Sequence, residues 1–168
     1  MNFQQINLEA IQFLDKIFLH IEKNNVQIKE HWNIDHLCYR ATTEIDYLEL
    51  KMSFLSFSEL LIESLVSGRL ISTFKLREPI KYKRWSIDLI ELPAPKIKKH
   101  TARGFEHIEV VCDVPLLVLE KKYSHLNLDR GGLKKVINPE LEIIFGTENL
   151  KFHNQSLEVV IKAELSQK

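Results

Sequence analysis

Residues 34–40, IDHLCYR, and residues 105–111, FEHIEVV, carry one pattern: apolar, acidic, histidine, aliphatic, then three more residues suited to a strand. Four matching positions alone arise often by chance. They gain weight because each copy opens a half of the chain with the same order of elements, the signature of an internal repeat. In a strand, residues i, i+2 and i+4 share a face. His36 therefore shares its face with Cys38 and Arg40, and His107 shares its face with Glu109 and Val111. If a pseudo-twofold relates the halves, His36 and His107 are expected to meet.

Working outward, NIDHLCYRATT predicts a strand ending in a turn. Thr43 and Asp46 resemble a capping box at the head of a long helix over 44–66, with Gly68 just past its end. RLISTFKL and RWSIDLIEL predict strands separated by a turn at REPIKYK, and Pro93 and Pro95 stop the sheet. Ahead of this lies an amphipathic helix over 7–23, with Leu8, Ile11, Leu14, Ile17, Phe18 and Ile21 at helical spacing and Asn7 as its cap. In the other half, GFEHIEVVCDV predicts a strand and Pro115 opens a shorter helix reaching about His125. LKKVI, ELEIIFG and LKFH predict short strands, with GTEN as a hairpin connection, and SLEVVIKAEL closes the chain as a helix. Strands clustered after each helix point to an α+β class rather than alternating parallel units. The expected layout is an N-terminal helical extension over 1–30, a first module over 31–95, and a second module with a closing helix over 103–168.

Composition narrows the function. The 23 Lys and Arg balance the 23 Asp and Glu, so no global field draws the chain to nucleic acid or to an anionic membrane. No run approaches the roughly 20 apolar residues of a membrane span; even SFLSFSELLIESLV carries Glu59 and Glu63. With two cysteines and no export signal at MNFQQINLEAIQFLDK, a reduced cytoplasmic protein is expected. The glycines at 68, 104, 131, 132 and 146 cannot build GxGxxG, GxxxxGK or GxSxG. HExxH and cysteine pairs at zinc-finger spacing are also missing.

What remains is a metal-type constellation. Imidazoles at His36 and His107 with a carboxylate make a mixed divalent-metal set. Glu91, in the late strand of the first half, is the obvious carboxylate, and the late strand of the second half ends in His153. The plainer alternative is a packed histidine at each site, a charged strand end at Glu91 and a helix-capping or solvated His153. Matching places in both halves give the metal reading equal weight beside that alternative. Two basic loops, KYKR at 81–84 and KIKKH at 96–100, flank the Glu91 strand. They read either as solvated turns or as a positive rim for an anionic substrate.

The stretches HWNIDHLCYR, SGRLISTFKL, WSIDLIELPAPK, GFEHIEVV and KFHNQSLEVVIKAE resemble the YecM family of small bacterial proteins. That family belongs to the vicinal oxygen chelate superfamily, with glyoxalase I, extradiol dioxygenases and bleomycin-resistance proteins. The resemblance implies two tandem βαβββ modules forming a curled mixed sheet around a metal site, flanked by the extra N-terminal and C-terminal helices. Ligands from the first and last strands of each module would be His36 and Glu91, then His107 and His153, with Glu142 as the fallback for the fourth. The implied cofactor is one divalent ion, zinc, nickel, iron or manganese. The implied chemistry is that of an isomerase, lyase or dioxygenase on a small, oxygen-chelating substrate. Glu109 would be the general base, or else hydrogen-bond a ligand or an arginine. Arg40 would hold a substrate carboxylate or phosphate, or pair with Glu109. Cys38 reads better as a small buried hydrophobe than as a soft ligand. Some superfamily members bind small molecules without catalysis, which is the competing reading. Two complete modules favour a monomer, with neither nucleic acid nor membrane as partner.

Overall fold

The computed structural model describes residues 1–66, 68–96 and 101–166. Helix α1 spans Phe3–Lys23, starting earlier than Asn7. Asn2 Oδ1 accepts from the Gln5 amide at 3.0 Å, and Gln5 Oε1 accepts from the Asn2 amide at 2.9 Å. This reciprocal cap satisfies two orphan donors and fixes the start there. The buried stripe accordingly begins at Ile6 and Ala10, and Leu8 is 59% exposed.

Contacts divide the chain into two compact units, Met1–Leu14 with His36–Glu106, and Asp15–Asp35 with His107–Lys168. The first is built on β1 (Asn33–Arg40, contributing from His36), α2 (Glu44–Leu55), β2 (Ser58–Val66), β3 (Arg69–Tyr82) and β4 (Trp85–Pro93). Its strand order is β2-β3-β4-β1, with β4 parallel to β1 and the other neighbours antiparallel. The second is built on β5 (Gly104–Val111, contributing from His107), α3 (Leu116–Lys122), β6 (Leu128–Asp129), β7 (Glu140–Ile144), β8 (Asn149–His153) and α4 (Leu157–Leu165). Its order is β5-β8-β7-β6, again with only the first and last strands parallel. Each half is thus a βαβββ module, in an α+β chain with extra helices at both ends, as the resemblance implies.

Three further elements differ from the sequence reading. The long helix over 44–66 stops at Leu55, and ELLIESLV is strand β2. Its register with β3 runs from Ser58 opposite Leu76 to Val66 opposite Arg69. Arg77 closes the helix: Nη1 donates to the Ser56 carbonyl at 2.7 Å and Nη2 to the Leu55 carbonyl at 3.4 Å, satisfying C-terminal acceptors. The cap at its other end is as read, with Thr43 Oγ1 accepting from the Asp46 amide at 3.1 Å. Strand β3 also runs through REPIKY, absorbing Pro79 in a register shift between Lys75 and Ile80; the hairpin turns at Lys83, whose φ is 49°. Finally, LKKVI is no strand. A 3-10 turn covers Gly131–Lys134, and Val136 is 98% exposed. Gly132 permits that turn, because a Cβ there would sit 2.8 Å from the Glu140 carbonyl oxygen.

Alternation along β1 sorts the first unit's core. Leu37 and Tyr39 point to one face, where Tyr39 packs edge-on against Phe54 of α2 at 5.8 Å and Phe105 at 4.9 Å. Phe54 also meets Phe74 at 5.3 Å and Phe57 at 5.5 Å. His36, Cys38 and Arg40 take the opposite face. In the second unit, Phe152 packs against Trp32 at 5.9 Å, leaving the other face of β8 to Asn149, Lys151 and His153. Cys38 and Cys112 are both free, buried thiols. Among the described residues, no helix is long and apolar enough to cross a membrane.

Candidate metal centre

The first unit carries a buried histidine beside a carboxylate. His36 is 2% exposed, and its Nε2 lies 3.8 Å from Glu91 Oε2. The register explains the meeting: Glu91 on β4 is level with Cys38, the next residue after His36 on the same face of β1. The second unit carries its own pair. His107 is 2% exposed and its Nε2 lies 3.2 Å from Glu109 Oε1, two residues along β5. All four side chains are of the kind that could hold a metal ion. Neutral imidazole nitrogen and carboxylate oxygen suit zinc, nickel, iron or manganese.

The repeat is incomplete at one position. His107 corresponds to His36, so Glu109 corresponds to Cys38. The residue level with Glu109 on β8, matching Glu91 in the first unit, is Lys151. Its Nζ lies 3.2 Å from Glu109 Oε1 and 3.4 Å from Glu140 Oε1. A cation therefore stands where the first unit has its last-strand carboxylate, and the second unit's carboxylate comes from the first strand instead.

His153 lies further along the ladder. It is level with Val111, four residues along β5 from His107, which is about 13 Å at the usual rise of a strand. It is fully buried, with Nδ1 2.9 Å from Asn138 Nδ2 and Nε2 3.7 Å from Asp35 Oδ2. Asp35 Oδ2 also accepts from the Leu157 amide at 2.9 Å, at the start of α4. The structure thus does not bring His153 beside His107. Glu142 is likewise engaged, accepting from Asn149 Nδ2 at 2.7 Å.

Arg40 pairs with Glu106 rather than Glu109. Its Nε donates to Glu106 Oε2 at 2.6 Å, and its Nη2 contacts the same oxygen. Arg69 went unnoticed in the sequence, although it lies on the face of β3 that carries Thr73, level with Glu91. Of the basic loops, KYKR lies on its own hairpin: Lys81 Nζ donates to Ser86 Oγ at 2.7 Å and Arg84 stacks over Trp85 at 4.0 Å. In KIKKH, residues 97–100 lie outside the described residues.

The model of the YecM protein family matches residues 2–164. The chain belongs to the YecM family. It is 30% identical over 147 residues to protein YecM of Escherichia coli K12, covering 79% of this chain and 78% of that one. An uncharacterized protein of Haemophilus influenzae is 32% identical over 127 residues, covering 73% of this chain and 65% of that one. Among solved structures, "Protein EC4020" superposes with a TM-score of 0.78 at 26% identity, covering 98% of this chain and 97% of that one. A protein of Bacillus halodurans, BH1468, shares the fold alone, with a TM-score of 0.50 at 14% identity over 75% of this chain and 96% of that one.

Proposed function

We propose that this YecM-family chain binds one divalent metal ion through His36, Glu91 and His107, with Glu109 as the fourth side chain in place of His153. The ion would serve a small substrate that chelates through two neighbouring oxygens. The observation that carries the reading is that buried histidines at matching first-strand positions of both modules each lie beside a carboxylate, Glu91 at 3.8 Å and Glu109 at 3.2 Å. One such pair offers two ligands, and a catalytic ion of this type takes three or four protein ligands with an open position.

When bound, such an ion polarises the chelating oxygens and stabilises the negative charge that develops on them. The chain's own contribution is positional. His36 and His107 are held by strands buried on both sides, which fixes their rings before substrate arrives. Glu109, 6% exposed, would be the general base, taking a proton from the carbon next to the chelating oxygens and returning it. Arg40 would hold an anionic end of the substrate. This is the chemistry of an isomerase, lyase or dioxygenase working in the cytoplasm.

A second reading draws on Lys151. A cation in the place of a last-strand ligand suits a cavity that binds an oxygenated small molecule without catalysis.

Elemental analysis separates the two. Protein purified without chelator or affinity-tag nickel is expected to hold about one equivalent of transition metal, and a folded His36→Ala/His107→Ala variant none. A parent that stays metal-free after reconstitution leaves only the binding module.

A further inference from the structure

Both modules bury one strand face in apolar packing, but the opposite face of the first unit's sheet is charged. Thr73 on β3 is level with Glu91 on β4, which is level with Cys38 on β1. Residues level with one another in a sheet project to the same side. Arg69, Thr73, Glu91, His36, Cys38 and Arg40 therefore share one face. The two arginines lie at the same end of it: Arg40 is two residues past the Glu91 level, and Arg69 four residues past it on β3.

Glu106 occupies Nε and Nη2 of Arg40. The remaining nitrogen, Nη1, is buried and has no hydrogen-bond partner among the described residues. An unmet donor on a guanidinium that is only 13% exposed is costly, and carboxylate is its natural acceptor. Arg69 is half-buried and spends Nη1 on the Ala94 carbonyl at 3.2 Å. Burial, and after it the nearby charge of Arg40, push the Arg69 pKa down against the opposing pull of Glu106 and Glu91, so the Arg69 cation gains from a further anion beside it.

We propose that Arg40 and Arg69 form a seat for a substrate carboxylate, at the end of the sheet face beyond Glu91. The placement deepens the metal reading, on which its role in a reaction rests, by naming the substrate class: an oxygen-chelating small molecule with a carboxylate remote from its chelating oxygens. The seat itself needs no ion.

The test is an NMR titration of the 15N-labelled full chain with sodium acetate at constant ionic strength, following arginine Nε–Hε signals. The protein is first stripped of metal and dialysed free of chelator. Saturable shifts of the Arg40 and Arg69 signals are expected. In Arg69→Gln, the Arg40 signal should need at least tenfold more acetate, and in Arg69→Lys less than that. Shifts that never saturate, or an Arg40 response unchanged in Arg69→Gln, overturn the seat. Inorganic phosphate binding tenfold more tightly than acetate overturns the carboxylate assignment. Metal content of the same samples before stripping keeps the readings apart: a metal-free parent with an Arg69-dependent acetate response defeats the metal centre and leaves the seat standing.

Discussion

Lys151 is level with Glu109 on the neighbouring parallel strand, and its Nζ lies 3.2 Å from Glu109 Oε1. Glu140 shares the same ammonium at 3.4 Å, and Lys151 is only 13% exposed. Replacing Lys151 by Met takes the ammonium from Glu109 in a largely buried setting, while Glu140 keeps Lys135 Nζ at 2.7 Å. Breaking such a pair costs about 3 kcal/mol, and urea unfolding followed by circular dichroism reads it directly. A loss below about 1 kcal/mol would class Lys151 with ordinary exposed charges.

Glu91 offers a sharper test of the metal reading than deleting a histidine. Glu91→Gln keeps shape and hydrogen bonding but removes the charge from the first unit's pair. Metal affinity is expected to fall by at least about 10- to 100-fold, since a ligand's charge should matter no less than the groups that merely support ligands. A competition titration with a chromophoric chelator gives the number. Metal that stabilises the parent should raise its Tm in a concentration-dependent way, less so in the variant. Equal affinities would place the ion elsewhere.

The acid limb of stability should carry the signature of Glu63. Lys51, Tyr47 and Ser72 all hydrogen-bond its carboxylate, and the lysine above all brings its pKa down to about 2. A carboxylate depressed in the folded state adds stability above its unfolded pKa, roughly 4.3. That stability is lost as pH falls through the folded value. The parent's Tm should therefore drop between about pH 4.5 and 2 more steeply than that of Glu63→Gln. Parallel curves would mean that Glu63 ionises alike in both states.

At high pH the sign reverses. Burial pushes Tyr39 and Tyr47 up to about 12. Their neutral forms stabilise the fold fully below the unfolded value of about 10, and this is lost as pH rises towards 12. Thermal melts of a Tyr47→Phe variant should show a shallower alkaline decline than the parent, at some cost in stability near neutrality because the hydroxyl bonds to Glu63 and Ser72 disappear.

Phe54 is fully buried among Tyr39, Phe57 and Phe74. Phe54→Ala removes the ring that joins α2 to the sheet and is expected to cost about 3–5 kcal/mol. Guanidinium unfolding measures it; a cost under about 2 kcal/mol would mean the cluster collapses around the gap.

Much was legible in the residues because it is local. The IDHLCYR and FEHIEVV repeat located β1 and β5 and set His36 and His107 on corresponding faces, since alternation along a strand is a property of the backbone. Thr43 as a cap, Pro115 at a helix start, Pro93 at the end of a strand and the closing helix after Ser156 all follow from hydrogen bonding within a few residues. Repetition of element order then pointed to two related α+β halves, and the resemblance to the YecM family supplied the βαβββ form of each.

Only tertiary pairing decided the rest. SFLSFSELLIESLV suits a helix as well as a strand by its spacing; β3, up to 18 residues further on, supplies the backbone partners that make 58–66 a strand. Register did the same for the site. Counting from the end of LKFH suggests His153, whereas the β5–β8 ladder sets Lys151 level with Glu109 and leaves His153 with Asp35 and Asn138. A shift of two residues along a strand keeps the same face yet moves a side chain about 7 Å. The chain alone therefore tells which residues look inward, and only the ladder of cross-strand hydrogen bonds tells which of them meet.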